Sequence, residues 1–483
     1  MMTIKEIRKR LDGGDISCRE LTEAFLDAAK RDNPALNAYI RITEEEALRA
    51  ADAADARRAK GEALSPLDGV PFILKDNINT KGITTTCASK MLANYVPIFD
   101  AFIWEKLRDS GAIMLGKGNM DEFAMGSTGE TSYFGATSNP HNLDHVAGGS
   151  SSGPAAAVAG GLAVFGIGSD TGGSVRIPAS FCGLVGLKPT YGAISRRGVI
   201  AYGSSLDQIG PIAVCAEDAA LVFDAMCEKD PGDMTSVGSE PVTPKLTGSV
   251  AGKKIGMARE FFEVMSPPVR EAIERAVKLF EKMGATIVPL EFPMLRYTLS
   301  TYYIIACAEA ASNLGRFDGL RYGYRAESAA DLDDFICRTR TEGFGKEVRR
   351  RILLGTYVLS AGYYDAYYNK AQLLRRAIKN EFSEMFKKCD LLLGPTVATT
   401  ALQKGSGLTP VEMYQTDICT SSVNLAGLPA MSVPCGFDEK GLPIGLQLVG
   451  PHFGESEILS AALAFERETA GEFLKSSGMG VKL

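Results

Sequence analysis

The sequence predicts a layered α/β fold built around a largely buried β-sheet. Short apolar runs bounded by glycine or polar residues alternate with longer amphipathic stretches, which is typical of strands that alternate with helices. Residues 253–257, 269–283 and 286–290 follow one another as strand, helix and strand patterns, a β-α-β unit. The chain has 483 residues, of which 45% are hydrophobic. That is enough to bury an extensive sheet, in about three ordinary domains or one large one.

The elements can be placed in order from caps and periodicity. Ser17 and Glu20 fit a capping box that opens a helix through about Lys30, and Thr43 fits the cap of a second helix through Lys60. The remaining expected elements are strands at 70–74 and 113–115 with a helix at about 101–110 between them, a helix at 155–162, a strand at 164–167, a mostly helical stretch at 299–388, strands at 391–393, 431–433 and 444–448, and a closing helix at 455–469.

The segment 229–252 is rich in Pro, Gly, Ser and Thr and is the best candidate for a surface linker. It separates a core at about 61–228, preceded by N-terminal helices within 1–60, from a C-terminal part at 253–483. We expect these to be parts of one domain that spans 1–483.

Charge and cysteine content exclude several classes of function. The net charge of −6 gives no general attraction to phosphate backbones, so this chain is a poor candidate for a primary RNA binder. The ten cysteines include no C-x-x-C pair, which argues against a zinc or redox site and fits a reducing cytoplasm. The longest apolar stretch is interrupted at Gly160 and Gly161 and is too short to span a bilayer. Residues 111–118 nearly match a phosphate-binding loop, but Gly118 lacks the hydroxyl that binds Mg²⁺, so ATP binding by this chain is not expected.

Two clusters of glycine and hydroxyl residues, 148–153 and 169–176, are the main candidates for a functional site. Glycines let backbone N–H groups converge on one point, as an oxyanion requires. A serine in such a turn is well placed to be a nucleophile. The alternative interpretation is a pair of structural loops around the buried helix between them.

A serine nucleophile needs a base, and the sequence offers two kinds. The histidines are His141, His145 and His452, of which the first two lie in an apparently polar loop. Residues 149–153 match the G-x-S-x-G nucleophile elbow, but the preceding residues 143–147 are too polar for the core strand that this motif requires. Lys75 ends the apolar strand 70–74, where desolvation would lower its pKa and make it a base.

Lys75, Ser150 and Ser174, within Gly-Gly-Ser150-Ser and Asp170-Thr-Gly-Gly-Ser174-Val-Arg-x-Pro, resemble the amidase signature family of Ser-Ser-Lys hydrolases. The spacing from Ser150 to Ser174 (174 − 150 = 24) fits that family, as do residues 181–190 and 205–211. The resemblance implies a single α/β/α domain around a large mixed sheet, with Ser174 as nucleophile, Ser150 as a bridging serine on a cis peptide, and Lys75 as base. It also implies an oxyanion hole formed by the backbone amides of Thr171, Gly172, Gly173 and Ser174. Ser152 and Pro154 depart from the family pattern at positions without a catalytic role.

Further motifs resemble one branch of the family, the glutaminase subunits of glutamyl-tRNA(Gln) amidotransferases; they lie at 75–78, 85–90, 119–127, 316–323, 362–368 and 423–429. This resemblance implies glutamine as substrate, bound by Arg351, Asp417 and Tyr302, with Ser127 also in the substrate site. From the residues alone, Arg351 belongs to a solvated basic run, Asp417 to a loop or cap, and Tyr302 to a half-buried helix face.

The resemblance further implies that ammonia passes to a partner subunit, which amidates Glu-tRNA(Gln), or also Asp-tRNA(Asn), using ATP and Mg²⁺. The expected assembly is a heterotrimer with the B and C subunits of the amidotransferase, in the cytoplasm and away from membranes, with tRNA bound mainly by the partner. No cofactor or metal is expected in this chain. The alternatives are a stand-alone amidase acting on another small amide, and a non-catalytic scaffold.

Overall fold

A computed structural model of the chain describes residues 2–474 and 477–481. Within these residues the β-strands are β1 Tyr39–Ile42, β2 Pro71–Lys75, β3 Ile113–Gly118, β4 Ser138–Asn139, β5 Asn142–Val146, β6 Phe165–Asp170, β7 Val185–Lys188, β8 Gln208–Ala213, β9 Lys254–Ala258, β10 Thr286–Leu290, β11 Leu391–Pro395, β12 Ala430–Phe437 and β13 Pro443–Val449.

The α-helices of the same residues are α1 Ile4–Asp12, α2 Cys18–Leu36, α3 Glu44–Arg58, α4 Phe102–Asp109, α5 Ser152–Ala159, α6 Arg176–Phe181, α7 Ala216–Asp224, α8 Arg259–Val264, α9 Pro267–Lys282, α10 Leu295–Asn313, α11 Leu332–Gly343, α12 Lys346–Leu359, α13 Lys370–Met385, α14 Pro410–Gln415, α15 Ser421–Ala426 and α16 Glu455–Glu468. No helix within the described ranges is both long enough and apolar enough to cross a membrane.

The described strands other than β4 and β5 form a single sheet in the order β1-β3-β2-β6-β8-β7-β12-β13-β11-β9-β10. The sheet is mixed, because β2 runs parallel to β3 and β6 whereas β8 runs antiparallel to β6 and β7. Every residue of β2, β3, β6, β7 and β8 is buried, and helices flank the sheet. These observations confirm the predicted fold class, a layered α/β arrangement around a mixed and largely buried sheet.

The sheet order brings two segments of the functional site together. Strands β2 and β6 are parallel neighbours, with Leu74 opposite Ile167, so Lys75 and Asp170 end their strands at the same edge. Gly168 of β6 makes close packing possible there, because a Cβ at this position would lie 2.6 Å from Ser151 Oγ. The N-terminus of α5 therefore rests directly on β6, next to the end of β2.

Several local predictions are confirmed. The capping box of Ser17 and Glu20 is present, although the helix that it opens continues to Leu36. Thr43 precedes α3 but makes no capping hydrogen bond through its side chain. The predicted β-α-β unit is formed by β9, α9 and β10, with the two strands parallel, and α8 is an additional short helix. The apparent phosphate-binding loop contains the buried strand β3.

The predicted polar loop is confirmed only at residues 140–141, the turn that contains His141; β4 and β5 pair on either side of it as a two-stranded antiparallel hairpin, with His145 on β5. The Asn139 side chain stabilises it by donating to the carbonyls of Val146 and Phe181, at 3.2 and 2.8 Å. The Asn139 hydrogen bonds thus help to hold the hairpin, and Val146 at the end of β5 packs in a small apolar cluster with Ile177 and Phe181.

The segment 229–252 contains neither an α-helix nor a strand, and Val242 and Val250 within it are buried. Asp230 Oδ2 accepts a hydrogen bond from Arg197 Nε at 2.8 Å. The segment thus lies against the rest of the protein, while the division of the chain at this point stays a prediction.

Candidate active site

Lys75 ends β2 in the interior of the protein, and its side chain is completely buried. Burial lowers the pKa of Lys75 from 10.5 to about 7, while the carboxylates of Asp121, Asp170 and Asp207 limit the decrease. The cause is the loss of hydration, which disfavours the charged ammonium more than the neutral amine. A lysine with such a pKa is available as a base near neutral pH.

Three serine side chains surround the Lys75 amine. Lys75 Nζ lies 2.7 Å from Ser150 Oγ and 2.9 Å from each of Ser151 Oγ and Ser169 Oγ. Ser150 and Ser151 precede α5, and the Gly149–Ser150 peptide bond is cis. Ser169 lies on the adjacent strand β6, where Asn77 Nδ2 also donates to its hydroxyl at 2.9 Å. Lys75 and Ser150 are thus brought into direct contact, as the resemblance implied.

Ser174 lies in the turn that joins β6 to α6, residues 171–175, here called the catalytic turn. Its carbonyl accepts a hydrogen bond from Ser151 N at 3.1 Å, which fixes the turn beside the serines around Lys75. Ser174 is 7% exposed. Among the described residues, Ser174 Oγ forms no hydrogen bond, so the link from Ser150 to Ser174 is not made in this structure.

The amides proposed for the oxyanion hole differ in their hydrogen bonds. Gly173 N donates to Asp170 Oδ1 at 2.8 Å and is therefore already engaged. Within the described part of the chain, the amides of Thr171, Gly172 and Ser174 donate to no acceptor. Three of the four predicted amides therefore remain to bind an oxyanion.

Arg176 holds the catalytic turn in place through Asp170. Its buried guanidinium donates to both oxygens of Asp170, with Nη2–Oδ1 at 2.9 Å and Nε–Oδ2 at 3.0 Å. Burial alone would raise the pKa of Asp170, but the charge and hydrogen bonds of Arg176 outweigh it and lower the value to about 2. Asp170 is therefore a carboxylate at neutral pH and holds the turn through Gly173 N.

The histidines lie apart from the three serines. His141 Nε2 is 3.0 Å from the carbonyl oxygen of Cys182, His145 belongs to the hairpin strand β5, and His452 lies near Gly427. Across the residues that the structure describes, none of the three forms a hydrogen bond with Ser150, Ser151 or Ser174. The geometry therefore favours Lys75 over histidine as the base.

Arg351 lies on α12 with its side chain 2% exposed, at the centre of what we call the arginine cluster: Tyr202, Tyr303, Glu347, Arg351 and Tyr414. Nε donates to Glu347 Oε1 at 2.8 Å and Nη1 donates to the Tyr202 hydroxyl at 2.7 Å. The guanidinium also lies 5.1 to 5.6 Å from the three tyrosine ring centroids. Nη2 forms no hydrogen bond to any described residue, so one edge of the guanidinium is available.

The structure distinguishes Arg351 from the two arginines before it. Arg349 is exposed, and Arg350 is half-buried and pairs with Glu347. Only Arg351 of the three points into the protein, a distinction that the basic run in the sequence does not provide.

Asp417 lies beside the arginine cluster and connects it to Ser127. Its carboxylate accepts hydrogen bonds from Ser127 Oγ and from the Tyr303 hydroxyl, each at 2.6 Å. Burial raises the pKa of Asp417 to about 6, against the lowering effect of these hydrogen bonds and of Arg351. The Ser127 carbonyl also accepts from Gly149 N at 2.8 Å. Ser127 thus joins Asp417 to the segment that carries Ser150.

Tyr302 packs directly on the catalytic turn. A Cβ placed on Gly172 would lie 2.5 Å from the Tyr302 hydroxyl oxygen, so only glycine fits at that position without displacing the ring. Thr420 Oγ1 donates to the Gly172 carbonyl at 2.6 Å. The structure therefore brings Tyr302, Arg351, Asp417 and Ser127 to one side of the turn that carries Ser174.

Comparison with known proteins gives the family of the chain. A model of the amidase family matches residues 20–459. The chain belongs to the amidase family. This amidase is 51% identical over 470 residues to the A subunit of glutamyl-tRNA(Gln) amidotransferase of Caldanaerobacter subterraneus subsp. tengcongensis, covering 96% of each chain. It is 52% identical to the Acinetobacter baumannii protein of the same name, covering 97% of this chain and 96% of that one.

Solved structures give the same result. The A subunit of glutamyl-tRNA(Gln) amidotransferase from Thermotoga maritima superposes with a TM-score of 0.80 at 38% identity, covering 100% of this chain and 98% of that one. The peptide amidase of Stenotrophomonas maltophilia superposes with a TM-score of 0.83 at 30% identity, covering 97% of both. These findings confirm the predicted family, fold and enzyme class.

Sequence reasoning missed several residues of this amidase's site. Ser151 and Ser169 were not recognised as contacts of Lys75, nor were Tyr202, Tyr303, Glu347 and Tyr414 as members of the arginine cluster. Only the pair of Glu347 and Arg351 had a signal in the sequence, since residues four apart on a helix are neighbours. Among the described residues, no group of three or more His, Cys, Asp or Glu side chains is arranged to hold a metal ion.

Proposed function

We propose that this protein is the glutaminase subunit of an aminoacyl-tRNA amidotransferase. The observation that carries the proposal is the burial of Arg351 and Asp417 on one side of the catalytic turn, linked through Tyr303. A cation and an anion held a short distance apart match the α-carboxylate and α-ammonium of an amino acid. The amidotransferase relatives, about half identical over nearly the whole chain, support the same conclusion.

The reaction begins with neutral Lys75. Its amine takes the proton of Ser150, which takes the proton of Ser174 as Ser174 Oγ attacks the side-chain amide carbon of glutamine. The carbonyl oxygen becomes an oxyanion, which the amides of Thr171, Gly172 and Ser174 bind. In this scheme, substrate binding brings Ser174 Oγ into hydrogen-bonding reach of Ser150 Oγ.

The second half of the reaction releases the products. The C–N bond breaks, and the leaving nitrogen receives the proton held by Lys75, through Ser150, to depart as ammonia. Water then attacks the γ-glutamyl ester of Ser174, giving up a proton by the same route, and glutamate leaves as Ser174 recovers its hydroxyl hydrogen. The sum is glutamine plus water to glutamate plus ammonia, so every proton is accounted for.

Substrate recognition follows from the charges around the turn. The free Nη2 edge of Arg351 binds the α-carboxylate of glutamine, and Asp417 binds its α-ammonium, while Tyr302 contacts the substrate beside Gly172. Because Arg351 is held by Glu347 and Tyr202, the carboxylate is bound in one position. This places the side-chain amide over Ser174.

The ammonia passes to a partner in a heterotrimer with the B and C subunits, as we infer from the relatives' designation as the A subunit. The partner uses ATP and Mg²⁺ to amidate Glu-tRNA(Gln), or also Asp-tRNA(Asn), and provides most of the tRNA contacts, in the cytoplasm. The present chain spans a single amidase domain with its parts divided at 229–252, and supplies ammonia without a cofactor of its own.

A stand-alone amidase is the second candidate, favoured by the close superposition on a peptide amidase. The deciding measurement is kcat/KM for glutamine and for butyramide, which has the same carbon chain and amide but neither α-substituent. A site built to bind both charged groups should prefer glutamine by at least about 10²-fold. Equal values, or a preference for butyramide, would favour the stand-alone amidase.

A further inference from the structure

The carboxylate of Asp207, just before β8, connects the catalytic turn with the arginine cluster. Its Oδ1 accepts hydrogen bonds from Thr171 Oγ1 at 2.6 Å and from Gly203 N at 3.1 Å. Its Oδ2 accepts from Tyr202 N at 3.0 Å. One buried side chain thus holds both a residue of the turn and the backbone of a residue in the cluster.

Tyr202 is held by hydrogen bonds to its side-chain hydroxyl and to its backbone carbonyl. Its hydroxyl accepts from Arg351 Nη1 at 2.7 Å, and its carbonyl accepts from Asn313 Nδ2 at 3.2 Å. The Tyr202 side chain is 1% exposed, so it has little room to change position. A displacement of the Arg351 guanidinium would therefore move Tyr202, whose backbone N–H is hydrogen-bonded to Asp207.

Thr171 is the first residue of the catalytic turn and one of the three whose amides are left to bind the oxyanion. Its hydroxyl bond to Asp207 fixes the rotation of this residue relative to Tyr202. All three donors to Asp207 belong to buried residues, so breaking the arrangement would leave buried polar groups without partners. The position of the turn and the position of the cluster are therefore mutually dependent.

We propose that Asp207 is a positioning residue that holds the catalytic turn in register with the carboxylate-binding Arg351. It does not contact substrate; it acts through Thr171 and Tyr202. The proposal rests on the proposed glutaminase function, which makes Arg351 the partner of the substrate carboxylate. Its consequence is that the Thr171–Asp207 hydrogen bond controls turnover rather than the strength of glutamine binding.

The test compares Thr171→Val with Thr171→Ser in the full-length protein. Valine keeps the shape of threonine and removes the hydroxyl, whereas serine keeps the hydroxyl. We expect Thr171→Val to lower kcat for glutamine about ten- to hundredfold with KM changed less than about threefold, and Thr171→Ser to recover most of the loss. Asp207→Asn, whose amide would face the Tyr202 N–H, should show the same kcat effect if it folds.

Two outcomes would overturn the proposal: a rise in KM with kcat intact in Thr171→Val, or equal losses in the valine and serine variants. The link to Arg351 is tested by combining Thr171→Val with Arg351→Ala. The combined loss on glutamine should be smaller than the product of the single losses, and a simple product would refute the coupling. If the wild type cleaves butyramide but no glutamine, the proposed function fails. The kcat comparison on butyramide then still decides whether Asp207 positions the turn.

Discussion

Lys75 Nζ lies 2.7 Å from Ser150 Oγ, and both side chains are completely buried. The other side-chain groups within hydrogen-bonding distance of this nitrogen are the hydroxyls of Ser151 and Ser169, each at 2.9 Å. Within the described residues Lys75 forms no ion pair. Burial lowers the pKa of Lys75 to about 7, so a large part of the amine is neutral near pH 7, and the contact directs it at the Ser150 proton.

The first prediction concerns pH. Because the pKa of Lys75 is lowered to about 7 and the neutral amine is the base, kcat/KM for glutamine should rise as pH increases through about 7 and then level off. The charged form predominates below that pH and cannot accept a proton. Lys75→Arg, which stays charged at every accessible pH, should lose at least about 10³-fold. The measurement is a kcat/KM profile between about pH 5 and pH 9.

The control for this profile replaces His141, His145 and His452 together by alanine. A histidine base would also produce a rise near neutral pH. Since the three lie apart from the serines around Lys75, the midpoint should stay in place. A profile that becomes flat in the folded triple variant would make a histidine the base instead.

Ser174→Ala should abolish glutamine hydrolysis, by at least about 10³-fold in kcat, because no other hydroxyl of the catalytic turn replaces the nucleophile. In the assembled complex the same variant should still amidate tRNA when ammonia is added, since only the source of ammonia is lost. Glutamate release and amidated tRNA are measured in parallel. Substantial glutamate release by the variant would remove Ser174 from its role, and failure of added ammonia would indicate a misassembled complex.

Arg351→Ala should lower kcat/KM for glutamine by about thirty- to several-thousand-fold, corresponding to roughly 2–5 kcal/mol for a lost charged partner in a desolvated site. Arg351→Lys should also be poor, because an ammonium does not reproduce the planar fork of a guanidinium. Butyramide lacks the carboxylate, so its kcat/KM should fall much less than that for glutamine. Arg349→Ala, at an exposed position on the same helix, is the matched control. Equal glutamine losses at both arginines would contradict the carboxylate-binding role.

Arg176→Ala should destabilise the protein by about 3–5 kcal/mol at pH 7, since it leaves the Asp170 carboxylate buried without its counter-ion. Denaturant unfolding measures the change in the free energy of unfolding. Arg19→Ala, which breaks an exposed pair with Asp52, is the control and should have a much smaller effect. Similar effects at both sites would refute the argument from burial.

The same ion pair sets a pH dependence of stability. The pKa of Asp170, about 2 in the folded protein, is below its usual value of about 3.9 in an unfolded chain. The ionised carboxylate therefore contributes stability above about pH 4, which is lost as pH falls toward 2. Arg176→Ala should lose this contribution, so the stability difference between wild type and variant should shrink in that range.

The parts of the site that the sequence predicted are those contained in short motifs. Lys75 ends an apolar strand, and Ser150 and Ser174 lie in glycine-rich turns, so local pattern marks these positions, while their predicted roles come from the family resemblance. Local pattern does not predict the contacts of the arginine cluster, because the contact from Tyr202 to Arg351 spans 149 residues and that from Tyr303 to Asp417 spans 114. Such contacts depend on how α10 and α12 pack against the segments before β8 and before α15, which no spacing records. The hairpin of β4 and β5 was missed for a similar reason, since Asn139 stabilises it partly through the carbonyl of Phe181.

The contact between Gly172 and Tyr302 joins two parts of the chain, and this division affects how the substrate preference of such enzymes can change. In the proposed mechanism, residues 75–176 carry the bond-breaking groups: Lys75 ends β2, Ser150 precedes α5 and Ser174 lies in the turn after β6. The later segments carry the proposed substrate-binding residues Tyr302 on α10, Arg351 on α12 and Asp417 before α15. Mutations in these later segments can change which amide is accepted while leaving the hydrolytic groups untouched. Directed evolution toward a new amide should therefore begin on α10 and α12 and keep Gly172 unchanged.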